Sequence, residues 1–292
     1  MVNPMQDDTA EALMTQLTRI ITTRIESDRL VLPAMPAAAN KCLTLLKDPD
    51  VATRKIVMVL ETDPVFAAQV SRAASTAAFG GQPARSLDNA ISRLGMNTLR
   101  VVVTQAAARS LFASKDRAIV TRLEQVWKHS VAVAILAREV STMIKAPDPS
   151  VSYLTGLLHD VGKTVVAAML LEAEAQLGKK GWINADQWSR VVSGSHRGIG
   201  IALAERWNLD PEVIAAIRDC TEYDPAERAS IANVVRFANA LVKTAGVHSG
   251  HVELEEAQAL VVIGRSMLDL DEDAVTKLAQ GLNEKVAGAL AA

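Results

Sequence analysis

Five histidines are the first candidates for chemistry in this chain. His159 stands beside Asp160 in Gly156-Leu157-Leu158-His159-Asp160-Val161-Gly162-Lys163, directly after an apolar pair. Imidazole nitrogen and carboxylate oxygen are common partners in binding a divalent ion. His129, in Trp127-Lys128-His129-Ser130, and His196, in Ser195-His196-Arg197-Gly198, lie next to large apolar residues or glycines in helical contexts. Alone, each would read as a satisfied core histidine. Together with Asp160 they point to a shared polar cavity. Two or three imidazoles and one carboxylate could hold one ion with open positions, and such an ion lowers the pKa of a bound water. Lys163 lies four residues after His159, on the same face if the helix persists, and its cation could meet a phosphate. Spacing alone therefore keeps a metal-assisted phosphohydrolase open.

Other constellations carry less. Ser193-Gly194-Ser195-His196 lacks the Gly-x-Ser-x-Gly elbow and has no strand before it. Gly80-Gly81 is not followed by the Lys-Ser/Thr of a phosphate-cradling loop. His248 and His251 fall in Gly246-Val247-His248-Ser249-Gly250-His251, which reads as a solvated turn between helices.

The bulk numbers bound the rest. The 292 residues are 49% hydrophobic and 22% charged, as in an ordinary globular domain that can bury a sizeable core. A formal charge of −2 without a basic block excludes a duplex-binding surface. Aromatics at 3% exclude a stacking platform for single strands. No nucleic-acid partner is expected. Cys42 and Cys220, far apart, are no disulfide framework and fit a reducing compartment. The acidic start, Met1 to Asp8, is no signal peptide. The longest uninterrupted apolar runs, such as Val131 to Ala137, fall short of the ~20 residues that span a bilayer. A cytoplasmic protein without a membrane partner is expected.

The elements that must position these residues read as helices almost throughout. Leu13, Leu17, Ile20, Ile21 and Ile25 predict an amphipathic helix from about Thr9 to Leu30. Asp50 and Asp63-Pro64 predict two helix starts, and Ser86 a third, closed at Gly95 before a new start at Asn97. A long helix from about Asp116 to Met143 carries His129. Ser150 is expected to cap the helix bearing His159 and Asp160. From Pro225 three more helices follow, the last with Val275, Leu278, Leu282, Val286 and Leu290 on one stripe. No alternating β-branched run competes, so the fold class is all-α, a multi-helix bundle.

Several motifs occur in a fixed order: Leu32-Pro33-Ala34-Met35-Pro36, Glu61-Thr62-Asp63-Pro64, Ser75-Thr76-Ala77-Ala78-Phe79-Gly80, Ala90-Ile91-Ser92-Arg93-Leu94-Gly95, the His129 segment, the Gly156–Lys163 segment, and His196 to Gly200 with Trp207. In this series the chain resembles the HDOD family, the HD-related output domain of bacterial signalling. Ser75 stands where that family usually has Asn. The resemblance implies an HD-like bundle over residues 31–224; the amphipathic N-terminal helix in 1–30 lies outside the motif series, and a helical part, 225–292, is expected to pack on the core. The resemblance also implies kinship with HD and HD-GYP phosphohydrolases, which need more ligands. Where those chains have a His-His pair this one has Asp219-Cys220-Thr221, and where they have a last Asp it has Asn239. Cys220, Thr221 and Asn239 thus mark lost-ligand positions. Catalytic residues and cofactors are therefore not expected: His129, His159, Asp160, Lys163 and His196 form a relic pocket. The alternatives are one divalent metal on His129, His159, Asp160 and His196, with phosphohydrolase activity, or a pocket that senses nucleotides. The function implied is a non-enzymatic output or scaffold module that binds a response regulator, a kinase or a cyclic-nucleotide enzyme.

Overall fold

The computed structural model of the protein describes residues 32–114, 116–146, 148–177, 185–250 and 252–291, with Thr15, Arg19 and Thr23 besides. The amphipathic helix expected within residues 1–30 otherwise lies outside the described residues. In chain order the helices are α1 (Ala37–Leu45), α2 (Thr53–Leu60), α3 (Pro64–Ala74), α4 (Leu87–Leu111), α5 (Arg117–Met143), α6 (Pro149–Leu158) and α7 (Gly162–Leu177). They continue with α8 (Ala185–Arg206), α9 (Pro211–Asp219), α10 (Ile231–Thr244), α11 (Leu254–Met267), α12 (Glu272–Ala279) and α13 (Leu282–Ala291). No strand occurs among the described residues, in agreement with the all-α reading.

Aspartate–proline pairs set several starts. Asp63 accepts hydrogen bonds from the amides of Val65 and Phe66, with Pro64 in the first turn of α3. Asp210 and Pro211 do the same for α9. The helix before His159 starts two residues earlier than expected: Asp148, not Ser150, is the cap, accepting from Ser150 N at 2.8 Å and Val151 N at 3.3 Å. Proline fits there because the first helical amide has no partner to lose. Asp148→Ala is expected to lower stability by about 1 kcal/mol, read as a shift in thermal unfolding midpoint.

Of three further expectations, two are corrected. Asp50 caps nothing; α2 begins after Ala52, without a side-chain cap. One is borne out: Gly95 takes φ 71 and ψ 165, so α4 consists of two helices joined at a kink there. The C-terminal stripe is cut, because Gln280 turns extended and Gly281 takes φ 67, so four helices rather than three follow Pro225.

α5 is the central element. His129, Ser130 and the run Val131 to Ala137 are buried on every side of it. α6, α10 and α13 pack against α5, and one continuous set of buried apolar contacts extends from Ala38 to Val286. Small residues allow the closest crossings. A Cβ on Gly156 of α6 would lie 2.9 Å from Ala134 Cα of α5. The first helices are tied to the rest by polar links. Trp207 Nε1 donates to Pro33 O at 2.9 Å and Arg100 Nη2 to Leu46 O at 2.9 Å. Taken by composition, Pro149–Ala173 forms an apolar stretch of 25 residues, more than the uninterrupted runs suggested; 78% of its most apolar window is buried inside the bundle. The turn at His159–Val161 interrupts it.

Candidate functional site

The helix carrying His159 does not persist. α6 ends at Leu158, His159 is its cap residue, and Asp160 lies in the turn before α7. Lys163 N then bonds to Asp160 O at 2.9 Å as α7 begins. This break changes what Lys163 meets. Its ammonium reaches Asp160 Oδ2 at 2.5 Å rather than the His159 ring, and lies 3.3 Å from Ser249 Oγ. Gly162 makes the turn possible next to α8, since a Cβ there would collide with the backbone carbonyl of His196.

The structure brings His129, His159, Asp160, Lys163 and His196 together at one point. Asp160 is 4% exposed, His129 and His159 are 1% exposed each, and His196 is 9% exposed. His129 Nε2 lies 3.6 Å and His159 Nε2 3.4 Å from Asp160 Oδ2, and His196 Nε2 lies 3.3 Å from Oδ1. The other ring nitrogens face backbone carbonyls: His129 Nδ1 to Val247 O at 2.8 Å, His159 Nδ1 to Gly156 O at 2.7 Å, His196 Nδ1 to Val192 O at 2.8 Å. A carbonyl can only accept, so each Nδ1 carries its proton. In a neutral ring the Nε2 atom is then a lone pair, and those of His129 and His159 point at the carboxylate.

Burial holds the rings of His129 and His159 neutral, lowering them to about 4 and about 3 against the pull of Asp160. Burial alone would push the Asp160 carboxyl up, yet it sits well below the usual carboxylate range. The imidazole of His159 lowers it only when protonated, which burial prevents near neutral pH. The Lys163 ammonium, with the hydrogen bond between His196 and the carboxylate, therefore keeps Asp160 ionised there.

The remaining residues divide. Asn239 of α10 lines the cavity beside the cluster, and its Oδ1, like His159 Nε2, is buried without a hydrogen-bond partner among the described residues. Cys220 is buried next to the site, where Arg197 Nη1 donates to its Sγ at 3.1 Å, while Thr221 is exposed. Of the three lost-ligand positions, Asn239 alone lines the cavity among the described residues. The cavity, of about 170 Å³, is bordered by the loop after α10, including Ser249 and His248; His248 is exposed in that turn, as expected, and also lines the rim of the cavity. His251 lies outside the described residues. Lys243 also lines the cavity, and the sequence reading missed it. Its signal was the four-residue step from Asn239, which puts both on one face of α10.

One ligand atom from each of His129, His159 and Asp160 lies within 4.8 Å of the others, so their spacing fits a divalent ion. The donor set fits in type as well: imidazole lone pairs, an anionic oxygen and the unpartnered Oδ1 of Asn239. Its charge does not fit two ions, because Asp160 is the one carboxylate among the described lining residues.

The family model of the HDOD domain matches residues 32–223. An uncharacterised protein of Treponema pallidum is 25% identical over 239 residues, 78% of this chain, and the chain spans 45% of that relative's length. Ribonuclease Y of Thermus thermophilus is 35% identical over 104 residues, which is 36% of this chain and 14% of that enzyme. Among solved structures, a Shewanella amazonensis protein proposed to be a metal-dependent phosphohydrolase superposes with a TM-score of 0.66 at 22% identity, over 92% of this chain and 99% of that one. An HDOD domain protein of unknown function from Geobacter sulfurreducens gives 0.64 at 23% identity, over 94% and 97%. These two structures share the helical fold. With its ordered motifs, its bundle and a family match over more than half of its length, the chain belongs to the HDOD family.

Proposed function

We propose that the chain is a cytoplasmic, non-enzymatic signalling module that acts by binding other proteins, with a response regulator, a kinase or a cyclic-nucleotide enzyme as the partner class. The observation that carries this reading is the state of Asp160. The cluster's carboxylate is already held by the Lys163 ammonium, and the neighbouring positions supply Asn239 and Cys220 rather than a second anion. The cluster then works as a buried polar node that fixes α5, the α6–α7 turn, α8 and the loop after α10 in one arrangement. The test is to purify the protein without chelator and assay phosphomonoesters, cyclic dinucleotides and bis(p-nitrophenyl) phosphate with added Mn²⁺ or Ni²⁺. No turnover is expected, while affinity capture of the wild-type protein from the native cell returns the same partner with and without chelator. Turnover that Asp160→Asn abolishes would refute the reading.

A metal-dependent phosphohydrolase is a second reading, and one feature favours it. Three Nδ1–H groups anchored on carbonyls leave three Nε2 atoms converging on a carboxylate, and His159 Nε2 has no partner of its own among the described residues. Anchoring of this kind orients imidazoles for a metal. An ion held by His129, His159, Asp160 and His196 would polarise a phosphoryl oxygen and acidify a bound water. Metal content separates the readings. The first expects a small fraction of an equivalent. About one equivalent, lost in His159→Ala together with phosphatase activity, selects the second.

A further inference from the structure

The cavity over the cluster is lined by more basic than acidic groups. Its titratable lining consists of Lys163, Lys243, Arg197, His129, His196 and His248 against one carboxylate, Asp160. Lys163 neutralises Asp160 directly. Arg197 is turned to Ile217 O at 2.9 Å and to Cys220 Sγ, but its charge stays at the wall. Lys243 is half-buried and makes no hydrogen bond or salt bridge to a described residue. Burial, with the repulsion of Lys163, pushes its ammonium below the ordinary lysine value, against the pull of Asp160 and of Glu256 on α11. A half-buried ammonium with no bonded counter-charge is costly, and an anion in contact with it relieves the cost.

We propose that this cavity binds a phosphate-class oxyanion between the ammonium groups of Lys163 and Lys243. The proposal goes beyond the scaffold reading and does not depend on which partner the chain recruits. An ammonium has three donors, so Lys163 can keep Asp160 and still turn a proton to an anion. Ser249 Oγ accepts from Lys163 and has its own proton to give. Ser193 adds a hydroxyl at the rim. Asn239 contributes through the ambiguity of its amide: with oxygen and nitrogen exchanged, the unpartnered buried acceptor becomes an N–H donor beside the same space. The volume of about 170 Å³ suits an oxyanion with a few waters, at ~30 Å³ for each water-sized group, and not a whole nucleotide. The ligand is therefore free phosphate, or the terminal phosphate of a nucleotide whose base and sugar remain outside. In either case the anion ties α7, α10 and the loop carrying Ser249 together.

The experiment is calorimetry on the full chain in a phosphate-free, low-salt buffer, titrated with inorganic phosphate and separately with a nucleoside 5′-monophosphate. Binding is expected in at least one arm. Equal affinity identifies the free anion as sufficient, and a tighter nucleotide identifies a terminal phosphate. Lys243→Met is expected to weaken binding by about tenfold or more, and Lys277→Met, an exposed lysine on α12, leaves it unchanged. Circular dichroism confirms the fold of each variant, with Lys243→Gln replacing the Met variant if that one does not fold. No heat in either arm up to about 10 mM ligand, or wild-type affinity in a folded Lys243 variant, overturns the proposal.

Discussion

Gly162→Ala is expected to leave little folded protein. The added Cβ would sit on the carbonyl oxygen of His196, 2.7 Å from that carbonyl carbon and 2.8 Å from Gly200 N. These are backbone atoms of α8, so no side chain can swing aside. The α7–α8 pair would have to separate, and the separation would carry Lys163 away from Asp160 on one side and His196 on the other. A clash of this kind belongs with the largest single-residue effects, about 4 kcal/mol or more, against a total stability of ~5–15 kcal/mol for a domain. Urea denaturation followed by circular dichroism reads it directly. Gly288→Ala is the control. It lies inside α13 with open space around its Cβ, and there the same change should raise stability by up to about 1 kcal/mol. If Gly162→Ala kept the wild-type midpoint, the close approach of α7 to α8 would not exist in solution.

That glycine also shows how far the sequence carried. Flanking His159-Asp160 with Gly156 and Gly162 marked the segment as unusual, but the reason lies in partners that no local pattern names: Ala134 of α5 for the first, His196 of α8 for the second. Helix starts were legible where capping is local, as at Asp63-Pro64 and Ser86. They were misplaced where two residues could serve, as with Asp148 and Ser150. The C-terminal stripe was read as one helix because its apolar spacing stays in phase across Gly281; the left-handed glycine breaks the axis without breaking the period. The cluster itself was legible as a set of residue types. Its wiring was not. That Lys163 meets Asp160 follows from the turn at His159–Val161, and the place of Lys243 follows from the packing of α10 on α5.

Acidification from pH 6.5 towards 4 is expected to destabilise the protein steeply, with the cluster's imidazoles as the cause. In the unfolded chain His129 and His159 take up protons near pH 6.5. In the folded protein burial delays this to about 4 and about 3. Both folded values lie below the unfolded one, so the unfolded state binds more protons across the gap and stability falls as pH falls. At 1.36 kcal/mol per pKa unit, the His129 shift alone is on the order of 3 kcal/mol. The two rings are neighbours, 5.4 Å between centroids, so their contributions do not simply add. Asp160 works in the same direction at lower pH. Its folded value is depressed, so its contribution is present above the ordinary carboxylate range and is lost only as pH falls through that depressed value. Removing its charge at neutral pH exposes the dependence differently. Asp160→Asn keeps the shape and leaves the Lys163 ammonium, 15% exposed, without its counter-charge, at a cost of about 3–5 kcal/mol. Urea midpoints at intervals from pH 7 to 4, for wild type, His159→Gln and Asp160→Asn, measure both effects. The slope for His159→Gln should be shallower by up to one proton near pH 5, because a group that differed between the two states is gone. Other carboxylates contribute to the absolute slope but largely cancel in that difference. An unchanged slope would mean that His159 titrates alike in both states, which requires solvent to reach the cluster and contradicts the sealed turn between α6 and α7.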